Sequence, residues 1–432
     1  MKRLSFALVL LSVSSNLIAS EFSDLWKSVY KNSLSNKSYS EKLKSIKIAK
    51  DNVSKHWLPR LYFDSSVYQT NDAAYSFMGN LNQRSIKQTD FVPNDLNNPD
   101  RKIYQTHTLG AYLPLYEGGS KVNEVKAKDY LYKATEAESK LAELALYSET
   151  VKLYGFYLVS SQSEKELLEV DKEVKNILKN YSLGNKNNPM GRSGLLGLQS
   201  LVYKIDAELD QLRVIKSSVL EALKELSQEK NLYLLTKNIN LDLFLKENIS
   251  SLIKSDREES YKVKSLNKMA EMTSSYKEAS KAFNLPQVGI FAQNSYYAGD
   301  RDQAQSQMIG LSVKWEFFNL VNWGKSAEVE GQAHAAKAYA LAIKQQEKIK
   351  SDSNQSKEKV IKKNIVRMNS ALKNLKEQTK INYRLFKNGV INVLQMSQVL
   401  NSKLDLIKYI DQANNEHLKV WTDIYVVKGE IR

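Results

Sequence analysis

The chain has 432 residues, 63 Lys and Arg against 48 Asp and Glu for a net charge of +15, and no cysteine, which excludes disulfide scaffolds, cysteine zinc sites and cysteine nucleophiles. Average usage would give about 7% Gly and about 5% Pro, so 16 Gly and 6 Pro mean few turns and long elements and exclude a single-chain meander of many hairpins. A mean hydropathy of −0.46 is too low for a bundle of apolar spanning helices, and a large helical protein is expected.

At the N-terminus, Lys2 and Arg3 precede the apolar run Leu4 to Val13 and the small polar stretch Ser14 to Ser20. This is the order of a cleavable signal peptide over residues 1–20, with the cut after Ala19 or Ser20. A spanning helix needs about 20 apolar residues, roughly twice this run. Removing Lys2 and Arg3 lowers the charge to +13. Export argues against nucleic acid as a partner, and Lys and Arg interleave with Glu and Asp, as in Lys344 to Lys363, the pattern of a solvated helix face.

The mature chain carries the same plan twice. The first repeat, 21–235, opens on a helix and reaches Leu58-Pro59, where a strand over about 58–70 begins. After the polar segment Asn71 to Lys102 a second strand runs over about 104–116, ending at Gly118-Gly119. A long helix (about 119–183), a turn at Gly184 and a returning helix follow. The second repeat, 236–432, starts on an irregular link at Asn238 to Asp256 and reaches Leu285-Pro286. Strands over about 286–297 and 307–318 lead to Trp323-Gly324, a long helix (about 324–388), a turn at Gly389 and a returning helix. Gly119 to Gly184 and Gly324 to Gly389 are equal intervals of 65 positions, which marks two equivalent rods, each about 100 Å long at 1.5 Å per residue. Ala127, Tyr130, Ala134, Ala137, Leu141, Leu144, Ser148, Val151, Gly155 and Leu158 recur in steps of three and four, the spacing of coiled-coil packing. The alanines from Ala333 to Ala342 mark the matching stretch of the second rod.

The strands alternate. Leu61, Phe63 and Val67 oppose Arg60, Tyr62, Asp64 and Ser66, and the other three follow suit, with Leu109, Ala111, Leu113 and Leu115, Val288, Ile290 and Ala292, and Ile309, Leu311, Val313, Trp315 and Phe317 on their apolar sides. Such lengths suit tilted membrane strands of about 9–11 residues, but lipid does not tolerate open edges. Closure therefore calls for oligomerisation, three copies supplying twelve strands. Trp57 and Trp315 flank strands where aromatic residues mark a membrane interface. A sheet packed on the protein's own helices is the competing reading.

No catalytic, cofactor or metal motif is present. His56, His107, His334 and His417 are scattered, and Gly191 to Gly197 imitates a nucleotide fingerprint without its strand–helix context.

In this order, Leu58-Pro59-Arg-Leu-Tyr, Leu113-Pro114-Leu-Tyr-Glu-Gly-Gly119, Leu285-Pro286-Gln-Val-Gly and Phe386-Lys-Asn-Gly389-Val-Ile-Asn-Val-Leu resemble the TolC-like outer-membrane efflux proteins over essentially the whole mature chain. The resemblance implies a mainly α fold with a small β part: a homotrimer with coiled-coil-like helices in an α-barrel across the periplasm and a 12-stranded β-barrel in the outer membrane. It implies a passive conduit for tripartite efflux or type I secretion, no enzymatic reaction, no cofactor, and an adaptor (membrane fusion protein) and an inner-membrane pump as partners. The turns at Gly184 and Gly389, with Arg192, Gly194 and Phe386, would form the periplasmic tip where the adaptor docks. Family members often carry acidic residues six and nine positions after the second tip glycine. Here those positions are Gln395 and Gln398, with Asn392 three after the glycine, so the constriction would be lined by amides. The alternative function is a periplasmic coiled-coil structural or adaptor protein that never enters the membrane.

Overall fold

The computed structural model describes residues 22–181, 189–230, 232, 234, 240–253 and 258–431; the expected signal peptide and Gly184 lie outside them. Helix α1 (22–32) is followed by α2 (Leu34–Ser54), β1 (Arg60–Thr70), α3 (Ala73–Asn82), α4 (Pro93–Asn97), β2 (Lys102–Glu117), α5 (Ser120–Lys179), α6 (Pro189–Ser227) and α7 (Leu241–Asn248). Then come α8 (Tyr261–Lys281), β3 (Gln287–Gly299), β4 (Gln303–Lys314), α9 (Leu320–Lys387) and α10 (Val393–Lys428). The fold is mainly helical with one small sheet. No described helix is long and apolar enough to cross a membrane.

Packing divides the chain into two units, 1–41 with 135–265 and 341–432, and 42–134 with 266–340. Each draws segments from both halves of the sequence.

The unit built from 42–134 and 266–340 carries the sheet, antiparallel in the order β1-β2-β3-β4. The register pairs Leu61 with Ala111, Ala111 with Ala292 and Ala292 with Ile309, so the apolar sides of all four strands merge into one face. The other face is polar, and aromatic rings lie across glycines of the next strand: Tyr62 over Gly110, Tyr112 over Gly289, Phe291 over Gly310. The ladder shifts between Pro114 and Tyr116, where proline has no N–H to donate. β4 ends at Lys314, short of the expected 318, so Trp315 and Phe317 lie beyond the strand.

The polar segment after β1 is not an irregular loop. Asp72 caps α3, its carboxylate accepting from the Tyr75 N–H. Gly79 packs on the Tyr104 ring, whose hydroxyl donates to the Ser76 carbonyl at 3.2 Å. Arg301, in the turn between β3 and β4, grips both carboxylate oxygens of Asp90 at 2.6 Å; the guanidinium beside it lowers the Asp90 pKa to about 2.

The other unit has two apolar clusters. One sets Phe22, Trp26 and Val29 of α1 against Tyr147, Val151 and Tyr154 of α5, Phe244 of α7 and Tyr425 of α10. Phe22 meets Tyr147, Tyr154 and Phe244 edge-on, the favoured aromatic geometry, and the Tyr147 hydroxyl donates to the Asn248 carbonyl at 2.8 Å. The expected irregular link thus contains a helix, α7, and beyond it Ile253 pairs with Gly429. The second cluster joins Val170, Val174 and Ile177 of α5, Leu198, Leu201 and Ile205 of α6, Leu372 of α9 and Met396, Leu400 and Leu404 of α10. Ala127, Ala134, Ala137, Leu144, Val151 and Leu158 of the seven-residue pattern are all buried. In α9 the alanines divide: Ala333 and Ala340 are buried, whereas Ala335, Ala338 and Ala342 are exposed.

Candidate functional site

Below the second cluster, α9 ends and α10 begins across a short turn. Gly389 has φ 72°; its N–H donates to the Phe386 carbonyl at 3.0 Å and the Val390 N–H to Leu385 at 2.9 Å. These two bonds close the helix C-terminus as a Schellman motif, which needs the left-handed residue that glycine supplies without Cβ strain. α10 then opens on a capping box: the Asn392 side chain accepts from the Gln395 N–H and the Gln395 side chain from the Asn392 N–H, both at 3.0 Å. Asn392, Gln395 and Gln398 are all exposed, but the first two side-chain amides are engaged with each other's backbone.

The turn borders a cleft of ≈570 Å³ lined by Asn180, Tyr181, Gly191, Phe386, Lys387, Gly389, Asn392 and Gln395 among others. Tyr181 and Phe386 stack with ring centroids 6.2 Å apart, and the Tyr181 hydroxyl donates to the Gly191 carbonyl at 3.0 Å. Burial pushes the Tyr181 phenol pKa up. Phe386 and Gly389 are therefore together at this cleft. Gly194 faces Val393 of α10, and a Cβ there would overlap the valine side chain. Its place is a close helix–helix approach, not a turn: α6 starts at Pro189, the first helical position where proline is favoured, so residues 189–194 are already helical. Arg192 is exposed on α6.

Above the cleft, the Lys403 side chain is 1% exposed and its ammonium meets the two Glu173 oxygens at 2.8 and 3.0 Å. A lone buried charge would be costly, so this pair fixes α10 against α5. Farther along, Asp411 takes hydrogen bonds from the Ser163 hydroxyl (2.7 Å) and the Asn415 amide (3.0 Å), while burial raises its carboxyl pKa. Burial lowers the pKa of His417, whose Nε2 accepts from the Trp421 indole N–H at 2.9 Å. Tyr181, Lys403, Asp411 and His417 carry no motif signature, and only the fold places them.

The apolar face of the sheet is uncovered: Leu61 is 76% exposed and Ile309 78%, with Phe63, Leu109, Leu311 and Val313 likewise open. Among the described residues no strand pairs with the outer edge of β1 or of β4. Trp57 is exposed in the turn before β1. Trp315, also exposed, follows β4 and donates its indole N–H to the Asn284 carbonyl at 3.1 Å. Trp323, Phe317 and Phe318 lie exposed nearby in sequence. Among the described residues no group of His, Cys, Asp and Glu could hold a metal ion.

No protein-family model matches the sequence, and no curated protein matches it. Solved structures do. A structure of CusC, from work on its folding and transmembrane channel formation, aligns with a TM-score of 0.78 at 11% identity, over 94% of this chain and 91% of that one. The outer-membrane channel OprN aligns with 0.76 at 14% identity, over 94% and 89%. The outer membrane protein VceC of Vibrio cholerae aligns with 0.74 at 14% identity, over 94% and 95%. The chain has the fold of the TolC-like outer-membrane efflux channels.

Proposed function

We propose that three copies of this chain form an outer-membrane channel, a passive conduit from the periplasm to the exterior. The observation that carries this reading is the four-stranded sheet with one continuous apolar face open to its surroundings and both edges unpaired. An exposed apolar sheet of this extent has no place in water, and open edges have none in lipid. Three sheets joined edge to edge remove both difficulties, placing the polar, tyrosine-rich face toward the lumen. Trp57 and Trp315 sit at the helix-bearing end of the strands, where an aromatic girdle belongs. The fold shared with outer-membrane channels supports the same reading. The alternative, a periplasmic coiled-coil protein outside the membrane, leaves the apolar face without a partner.

On this reading a signal peptide over residues 1–20 is cleaved, the helices extend into the periplasm, and an adaptor and an inner-membrane pump complete a tripartite efflux or type I secretion assembly. Arg192, Phe386 and Gly389 mark the adaptor's docking surface, and Asn392, Gln395 and Gln398 line the constriction. Fractionation tests the core of the proposal: the mature chain is expected in the outer membrane as a detergent-extracted trimer, and recovery as a soluble periplasmic protein refutes it. With amides at the constriction, micromolar trivalent cation on the periplasmic side should leave single-channel conductance nearly unchanged, because trapping needs a concentrated negative potential.

A further inference from the structure

The periplasmic end carries charge of one sign. Residues 174–181, 189–205 and 378–404, which hold the ends of α5 and α9 and the starts of α6 and α10, contain eight Lys and Arg and no Asp or Glu. Three of the eight are compensated by carboxylates from outside these segments: Lys175 by Asp171 at 2.7 Å, Lys204 by Asp405 at 2.8 Å and Lys403 by Glu173 at 2.8 Å. Lys179, Arg192, Lys380, Arg384 and Lys387 are exposed, and among the described residues none of them makes an ion pair. Asp206 and Glu377 directly adjoin these segments, and Asp206 stands 4.0 Å from Lys175.

Helix dipoles do not reverse this sign. The C-termini of α5 and α9 and the N-termini of α6 and α10 all fall in these segments, so two negative and two positive ends offset each other and the side chains decide the potential. Screening acts over about 8–10 Å at physiological salt, so a guanidinium or ammonium need not point into a narrow passage to set the potential there. Low-dielectric walls focus the field further.

We infer that the periplasmic entrance is anion-selective, and that the solutes it favours are anionic. This rests on the channel reading, in which three copies bring their tips together at the narrow end and triple the uncompensated charge. The amide residues at the constriction offer no negative ring to counter it.

The test is the reversal potential of the full mature trimer in a planar bilayer under a tenfold KCl gradient. Wild type is expected to pass chloride over potassium by about threefold or more. The double variant R384E/K387E, at two exposed positions, is expected to shift the reversal potential toward that of potassium. A potassium-selective wild type overturns the inference, as does a double variant whose reversal potential does not move. Outer-membrane trimers that give no conductance at all reject the channel reading itself, a separate outcome.

Discussion

Single positions in this chain act through the contacts they permit. At Gly194 the missing Cβ lets α6 approach Val393 of α10. Gly194→Val inserts volume into this contact and is expected to cost about 1–3 kcal/mol, read as a lower unfolding temperature of the purified protein. Asp411 shows the opposite balance. Burial holds its carboxyl above the ordinary range, with Glu208 adding repulsion. The folded chain therefore binds the proton more tightly than the unfolded one, and stability falls as pH rises from the ordinary carboxylate value through the raised one. Asp411→Asn removes the buried charge. The Asn415 amide oxygen has no partner, so turning that amide over lets it accept from the new side chain. The variant is expected to melt about 1–3 °C higher than wild type at pH 7.5 and level with it at pH 4, measured by scanning calorimetry.

Among the elements, the turn between α9 and α10 and the segment after β1 are the two whose sequence most understates their order. The amides of Asn392 and Gln395 serve the backbone first. Asn392→Ala breaks the reciprocal cap and should cost about 1 kcal/mol, with faster amide hydrogen exchange confined to residues 390–397. α3 buries Ser76, Gly79 and Asn80 while Tyr75, 64% exposed, and Met78 face outward, the reverse of ordinary amphipathicity. Tyr104 explains this: it shares the polar face of the sheet with Tyr68 and Thr106 and receives the helix backbone at Gly79. The Asp90–Arg301 pair closes the segment over that face. Arg301→Ala should leave the sheet intact and open residues 73–97 to protease, so that cleavage there on whole cells accelerates at least several-fold relative to wild type.

At the scale of the whole molecule, the proposed channel requires one particular sheet face to meet lipid. Leu311 and Ser312 are consecutive in β4 and point to opposite faces. Leu311→Arg is expected to cost about 2–4 kcal/mol in the bilayer and to deplete the outer-membrane fraction, whereas Ser312→Arg should insert like wild type. Equal recovery of the two variants would contradict the assignment of faces.

Much of this was legible in the sequence because it depends on spacing. Few glycines and prolines mark long helices, the step of three and four marks the buried stripe of α5, and strand alternation assigns each side chain to one of two faces. These are local properties of a chain with fixed backbone geometry. The order of the strands in one sheet, the helix hidden in the segment after β1 and the commitment of Asn392 and Gln395 to a cap were not legible. They depend on partners distant in sequence or on hydrogen bonds that polar composition does not reveal. The excess of cations around the ends of α5 and α9 and the starts of α6 and α10 is likewise read from the sequence. Which of those cations remain uncompensated follows from the fold, because an ion pair such as Lys403 with Glu173 forms between residues far apart in sequence that packing brings within hydrogen-bonding reach.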